Sequence, residues 1–233
     1  MKWADSGIIL SARPFGENSR ILTLLTRDHG RHAGLIKIPK SRSRLNIEAG
    51  TFVDATWNAR LSEHLGQWTL ETTDAMGAKL LSMALPLTAL SSACHITDQC
   101  LAERHPYPDL YDLLKSLIED LLQAPDWQIS YVNYELALLK DLGFGLDLST
   151  CAATGKVDDL IYISPKTGRA VSREAGEPYK SQLLPLPAYW VKEDAPPDIR
   201  TSLNVTGYFL GQHLTERQGL PPIRQRLMDM LGR

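Results

Sequence analysis

The hydrophobic period of this chain changes once, near residue 76, from two residues to 3.6, and that switch divides what the chain can fold into. Before it, short stretches rich in apolar, β-branched or aromatic residues follow one another: Ile8-Ile9-Leu10 with Trp3, Ile21 to Thr26, Ala33 to Ile38, Thr51 to Trp57 and Gln67 to Thr72. Turn-like breaks at Phe15-Gly16-Glu17-Asn18, Asp28-His29-Gly30, Asn46 to Gly50 and Ser62 to Gly66 separate them. Five strands in so short a span suffice for a small closed barrel, and with a basic loop an OB-fold is the natural candidate.

After the switch the pattern is helical. Leu110, Leu113, Leu114, Leu117, Ile118, Leu121 and Leu122 form one continuous apolar stripe. Asp109 is placed to cap it, and Pro125 lies just beyond its end. Further helices are expected from about Pro86 to Arg104, from Trp127 to near Gly143, through Ile199, Leu203, Leu210 and Leu214, and after Pro221-Pro222. The expected architecture is α+β. A five-stranded OB-fold barrel over residues 1–78 precedes a mainly helical domain over residues 79–233, which carries a loop-rich insert at about 146–187.

The net charge of −2 conceals an asymmetry. Residues 1–79 carry 11 Lys/Arg against 8 Asp/Glu, whereas residues 80–233 carry 14 against 19. Between Arg13 and Arg44, eight cations (Arg13, Arg20, Arg27, Arg31, Lys37, Lys40, Arg42, Arg44) face only Glu17 and Asp28. Such a cluster is the electrostatic footprint of a polyanion-binding module. The apolar runs, such as Ala84 to Leu90, are broken by proline or polar residues well before a membrane span would be complete. The start of the chain lacks the pattern of a secretory signal, and its three cysteines form no repeating framework. A reducing cytoplasm is the expected location.

No motif makes an active site. Ala153-Thr154-Gly155-Lys156 would read as a phosphate loop only with glycine in place of Thr150 and a hydroxyl residue in place of Val157. Nucleophile-elbow, zincin and dinucleotide patterns do not occur. Cys94 and His95 are neighbours on a helix and point in different directions, which favours packing over metal binding. No catalytic residue, metal ligand or cofactor is therefore expected. The basic run from Lys37 to Arg44 differs, because its charges fall in an inter-strand loop, where Lys and Arg can neutralise phosphates. Arg13, Arg20, Arg31, Lys37, Lys40, Arg42 and Arg44 are the candidate DNA contacts. Trp57 and Trp68 are either stacking platforms or barrel core.

Arg13-Pro14-Phe15-Gly16-Glu17-Asn18-Ser19-Arg20, running on through Leu24 to Arg31 and the basic loop, resembles the N-terminal signature of the bacterial RecO family. Trp57 to Leu61, Leu110-Tyr111, Tyr134-Glu135-Leu136, Leu142 to Cys151 and Ser164 to Val171 are similar to the family at matching intervals. The resemblance implies an OB-fold followed by a helical domain. It also implies a DNA repair and recombination mediator that binds single- and double-stranded DNA, anneals strands, and works with RecR to load RecA recombinase onto DNA coated by single-stranded-DNA-binding protein. The implied contact with that coating protein is its acidic C-terminal tail, and the implied setting is the nucleoid. The alternatives are an adaptor between repair proteins with little direct DNA contact and a nuclease with a dispersed carboxylate site.

Some members of that family hold zinc in the insert with two C-x-x-C pairs. The matching positions here are Cys151, Thr154, Ser172 and Ala175, which keep one ligand of four. A degenerate zinc-ribbon position without metal is the expectation, with Tyr162 and Val171 on short strands around the Pro165 to Gly168 turn.

Overall fold

The computed structural model describes residues 1–37, 46–61, 64–214 and 219–232. Five strands build the first module: β1 (Lys2–Pro14), β2 (Ser19–Thr26), β3 (Gly30–Lys37), β4 (Phe52–Asn58) and β5 (Gly66–Asp74). The barrel order is β1-β2-β3-β5-β4, and the ladder returns to β1 through its pairing with β4. This is the five-stranded OB-type arrangement expected from the alternating pattern.

Every pairing is antiparallel except β3 with β5, a short parallel contact of Gly34 with Gly66 and Leu35 with Gln67. Inside lie Ile9, Leu22, Leu24, Ile36, Val53, Ala55, Trp57 and Trp68. The two tryptophans are core residues, 1% and 4% exposed, so they are not stacking platforms. Their indole N–H groups donate to the Ala33 and Leu22 carbonyls, each at 3.3 Å, which satisfies the polar end of each ring. Glycine is required where the rings press on the backbone. A Cβ on Gly66 would lie 2.2 Å from Trp57, and one on Gly34 would lie 2.7 Å from Trp68.

The helices follow the 3.6-residue pattern with shifted ends. After the short α1 (Met76–Lys79), which the sequence pattern did not suggest, come α2 (Ala84–Cys100) and α3 (Pro108–Gln123). The expected helix to Arg104 stops at Cys100, because Leu101 turns extended and Arg104 takes a left-handed φ of 63°. The chain there bends back so that the Arg104 amide donates to the Arg31 carbonyl at 2.9 Å. Asp109 is not the cap of α3. Pro108 has no N–H to satisfy and a φ suited to the first turn, so it opens the helix after Tyr107 and leaves Asp109 inside, where its charge favours the N-terminal dipole.

Met1–Trp127 forms one compact unit together with Pro221–Leu227, and Gln128–Leu220 forms another with Met228–Arg233. The second unit contains α4 (Trp127–Asp141) and α6 (Ile199–Leu214), and α7 (Pro222–Leu231) ends the chain. The insert carries a three-stranded sheet, with β6 (Leu160–Ile163) between β7 (Ala170–Ser172) and β8 (Leu184–Pro185). Tyr162 does pair with Val171, on either side of a turn in which the Gly168 amide donates to the Ser164 carbonyl at 2.9 Å. A further helix, α5 (Arg173–Gly176), and two 3-10 turns fill the rest. Cys94 is fully buried on α2, where desolvation pushes its thiol up to about 12, and His95 is exposed beside it. Among the described residues no helix is long and apolar enough to cross a membrane.

One buried titratable group reports on the barrel. His32 on β3 is 6% exposed, and its pKa falls from 6.5 to about 4, first through burial and then through the nearby Arg104 charge. As pH falls below 6.5 the unfolded chain takes up this proton before the folded one does. The contribution to stability is therefore complete above that pH and is lost as pH drops toward 4, by up to about 3 kcal/mol. Urea unfolding at pH 7 and pH 4.5 should show a smaller loss in His32→Gln than in the parent chain. Equal losses would mean that His32 is not the group responsible.

Candidate nucleic-acid interface

The site begins with one irregularity in β1. Ile9 pairs with Leu24, yet Ser11 pairs with Thr23, so Leu10 is an extra residue in the ladder. Simple alternation from Ile9 would send Ser11 and Arg13 toward the barrel interior. The bulge reverses that parity, because one added residue flips all that follow to the other face. Ser11 thus shares the outer face with Thr23 and Ala33, and Arg13 shares it with Ile21 and Leu35.

Half of this outer face is covered. The Ser11 hydroxyl donates to Asp98 of α2 at 2.8 Å. The Arg31 guanidinium donates to Asp98 at 3.0 Å and to the Leu101 carbonyl at 2.9 Å, and lies 3.4 Å from Glu103. Arg31, although a candidate DNA contact by sequence, is thereby committed to holding α2 and the following segment against β3. Its side chain is only 14% exposed. Arg27 is similarly engaged, its guanidinium gripping both oxygens of Asp112 at 3.1 and 2.8 Å.

The other half is open. Pro14 pairs with Arg20, and Ser19 pairs with Lys37, so the register gathers Arg13, Arg20 and Lys37 at one end of β1, β2 and β3. Arg13 and Lys37 are exposed and Arg20 is half-buried. Among the described residues none of the three is in an ion pair. Arg13 and Lys37 share the outer face with the half-buried Ile21 and Leu35, whereas Arg20, opposite the core residue Ile36, alternates to the other face at the same end of the strands. Lys40, Arg42 and Arg44, the remaining candidates, lie outside the described residues.

Phe15 was not among the residues expected to act. It opens the β1–β2 turn, 51% exposed, its amide donating to the Ser19 carbonyl at 3.0 Å. An aromatic in a turn between two arginines was the available signal. Free cations for phosphates, beside an exposed ring and an apolar strip for bases, are the chemistry that single-stranded nucleic acid requires. The β1–β4–β5 side has the opposite character, since Asp54 and Glu71 are direct cross-strand neighbours and both are exposed.

In the insert the residues present do not suit zinc. Cys151 offers one sulfur, while Thr154, Ser172 and Ala175 supply no second thiolate or imidazole. The sulfur is held by the chain itself. Its S–H donates to the Ser172 hydroxyl at 3.4 Å, and the Ser172 amide donates back at 3.3 Å. Burial opposes ionisation, but hydrogen bonds with Ser172, Thr154 and the Ala153 amide outweigh it and bring the thiol down to about 6. The Ala152 amide bonds to the Ala170 carbonyl at 2.8 Å, and Arg169 pairs with Asp147 at 3.3 Å.

Two measurements test these assignments. Arg31→Ala should cost about 1–3 kcal/mol in denaturant unfolding, because Asp98 keeps only the Ser11 hydroxyl and the Leu101 carbonyl loses the guanidinium. Arg13→Ala and Lys37→Ala should each stay within about 0.5 kcal/mol of the parent. Elemental analysis of the purified chain should find no stoichiometric zinc, and a chelator should leave its melting temperature unchanged. One zinc per chain would refute the reading of the insert.

The family described as Recombination protein O N terminal matches residues 1–75, and that described as Recombination protein O C terminal matches residues 85–220. The chain is 47% identical to the DNA repair protein RecO of Rhodospirillum centenum, over 98% of this chain and 94% of that protein. It is 43% identical to the DNA repair protein RecO of Ruegeria sp., over 100% of this chain and 99% of the relative. The DNA repair protein RecO of Jannaschia sp. is 44% identical, over 100% and 97% of the two chains.

Proposed function

This chain belongs to the RecO family of DNA repair proteins, and from that premise we propose that it is a recombination mediator that binds single- and double-stranded DNA without chemical turnover. The observation that carries the reading is the open end of the β1–β2–β3 face. There Arg13 and Lys37 flank Ile21 and Leu35 on the outer face, Arg20 lies at the same strand ends on the opposite face, and the exposed Phe15 stands beside them; among the described residues none of the three cations pairs with a carboxylate. The sequence that follows Lys37 adds Lys40, Arg42 and Arg44 to the same basic stretch.

Phosphate neutralisation supplies affinity that is independent of sequence. A protein that neutralises two strands together also removes the repulsion that keeps them apart, and strand annealing follows from that. The mediator works in the cytoplasm at the nucleoid. Its partners are RecR and the C-terminal tail of single-stranded-DNA-binding protein, and through them it assists RecA loading. No step in this scheme requires a bound cofactor.

The test is a titration of fluorescent single-stranded DNA at several salt concentrations. Changing Arg13, Arg20 and Lys37 together to Ala should reduce the slope of log K against log salt by about 2, at roughly 0.7 per phosphate contact. Lys40, Arg42 and Arg44 changed together should do the same, with melting hardly moved. An unchanged slope in both folded triple variants would favour the adaptor reading, in which the barrel contacts proteins instead of DNA.

A further inference from the structure

At the other end of the β2–β3 hairpin three rings form a column. Trp57 and Trp3 lie 5.7 Å apart with planes 20° from parallel, and Trp3 and His29 stack at 4.0 Å and 3°. The column ends at His29, whose side chain is 35% exposed. That imidazole is fixed in place. Its Nδ1 is 2.9 Å from an oxygen of Asp5, and the same oxygen accepts the Asp28 and His29 amides at 2.8 and 3.1 Å. The Asp5 side chain is itself only 5% exposed, so the anchor is rigid.

Beside the column lies a cavity of about 300 Å³, lined by Trp3, His29, His32, Trp57, Arg104 and Pro106 among others. One wall is the segment docked on β3, where a Cβ on Gly30 would come within 1.8 Å of the His105 carbonyl oxygen. His32 is 6% exposed, and its Nδ1 has no hydrogen-bond partner among the described residues. The volume lies at the small end of ligand pockets, where aromatic walls and a few polar groups fix a flat molecule. A stack that served only to plug the barrel would need neither an open ring face nor a cavity beside it.

We propose that this column is a receptor for one nucleobase of single-stranded DNA, the base lying on the open face of His29 with Arg104 beside its phosphate. The proposal rests on the reading that the chain binds single strands, and it adds a second foothold to the basic end. Aromatic planes accept any base, and a cation at the lip selects a ring that carries a phosphate. The two eight-residue strands of the hairpin separate the two footholds by about 24 Å at about 3.4 Å per residue. A strand stacked at about 3.4 Å per nucleotide covers that with roughly eight nucleotides, within the range one OB barrel occupies.

The experiment uses the full chain and two strands of about 12 nucleotides, one of thymidylates and one abasic. The parent should bind the first more than roughly tenfold more tightly than the second, because one base stacked on His29 is worth roughly tenfold and Phe15 and the apolar strip at the basic end also meet bases. His29→Ala should lower that ratio roughly tenfold, by the worth of one stacked base, and His29→Phe should restore it, while both keep the parent's salt slope. The His29 ring protons should shift in NMR spectra with the thymidylate strand and not with the abasic one. An unaltered ratio in a folded His29→Ala, or His29 signals that ignore the bases, would overturn the receptor while leaving the basic face intact. If the parent binds neither strand, the DNA reading fails, and titration with thymidine monophosphate decides the receptor: shifted His29 signals sustain it and unmoved ones end it. Shifts produced only by a tryptophan-containing peptide would assign the column to a protein partner and overturn the proposal.

Discussion

The barrel depends on the fit of two tryptophans against two glycines. The contact of β3 with β5 spans only two residue pairs, so backbone hydrogen bonds contribute little there. The indoles of Trp57 and Trp68 fill the space beneath it and bond to carbonyls of β3 and β2. Gly66 and Gly34 leave room for those rings at the place where the strands meet. Without that fit the sheet would lack the seam that joins its two halves, and the outer face of β1–β3 would lose its shape.

On that face, charge alone does not decide which cations are available. Arg13 and Arg31 look equivalent in sequence, both within the same basic cluster. The structure separates them by burial and by partner. Arg31 sits where α2 lies across the sheet, and its guanidinium is shared between Asp98, Glu103 and a carbonyl. Arg13 lies beyond the reach of that helix, on the outer face only because β1 carries an extra residue at Leu10. Ion pairing and a bulge, neither visible in a hydrophobic pattern, sort the cluster into structural and available charges.

The insert presents a related substitution of means. Where a closed zinc site would hold two loops through four strong bonds, here Cys151 and Ser172 hold each other. Around them strand pairing and the Asp147–Arg169 ion pair join the same segments. Each such contact is worth far less than a metal bond, and their stabilising effect lies in their number and in the burial of Cys151, Leu160, Ile163 and Ala170.

The period of the apolar residues determined that five strands precede a set of helices, and the family signature from Arg13 to Arg20 agreed with it. The charge count located the net positive charge in the first module, and the donor set at Cys151, Thr154, Ser172 and Ala175 argued against zinc. Those conclusions are legible because they depend on residue types at short spacings. What lies across the fold was not legible: the burial of Trp57 and Trp68, the engagement of Arg31 by α2, the bulge at Leu10 and the stacking of Trp3 on His29. Each of these joins residues distant in sequence, and the energy that selects them comes from packing and pairing that exist only after the chain has folded.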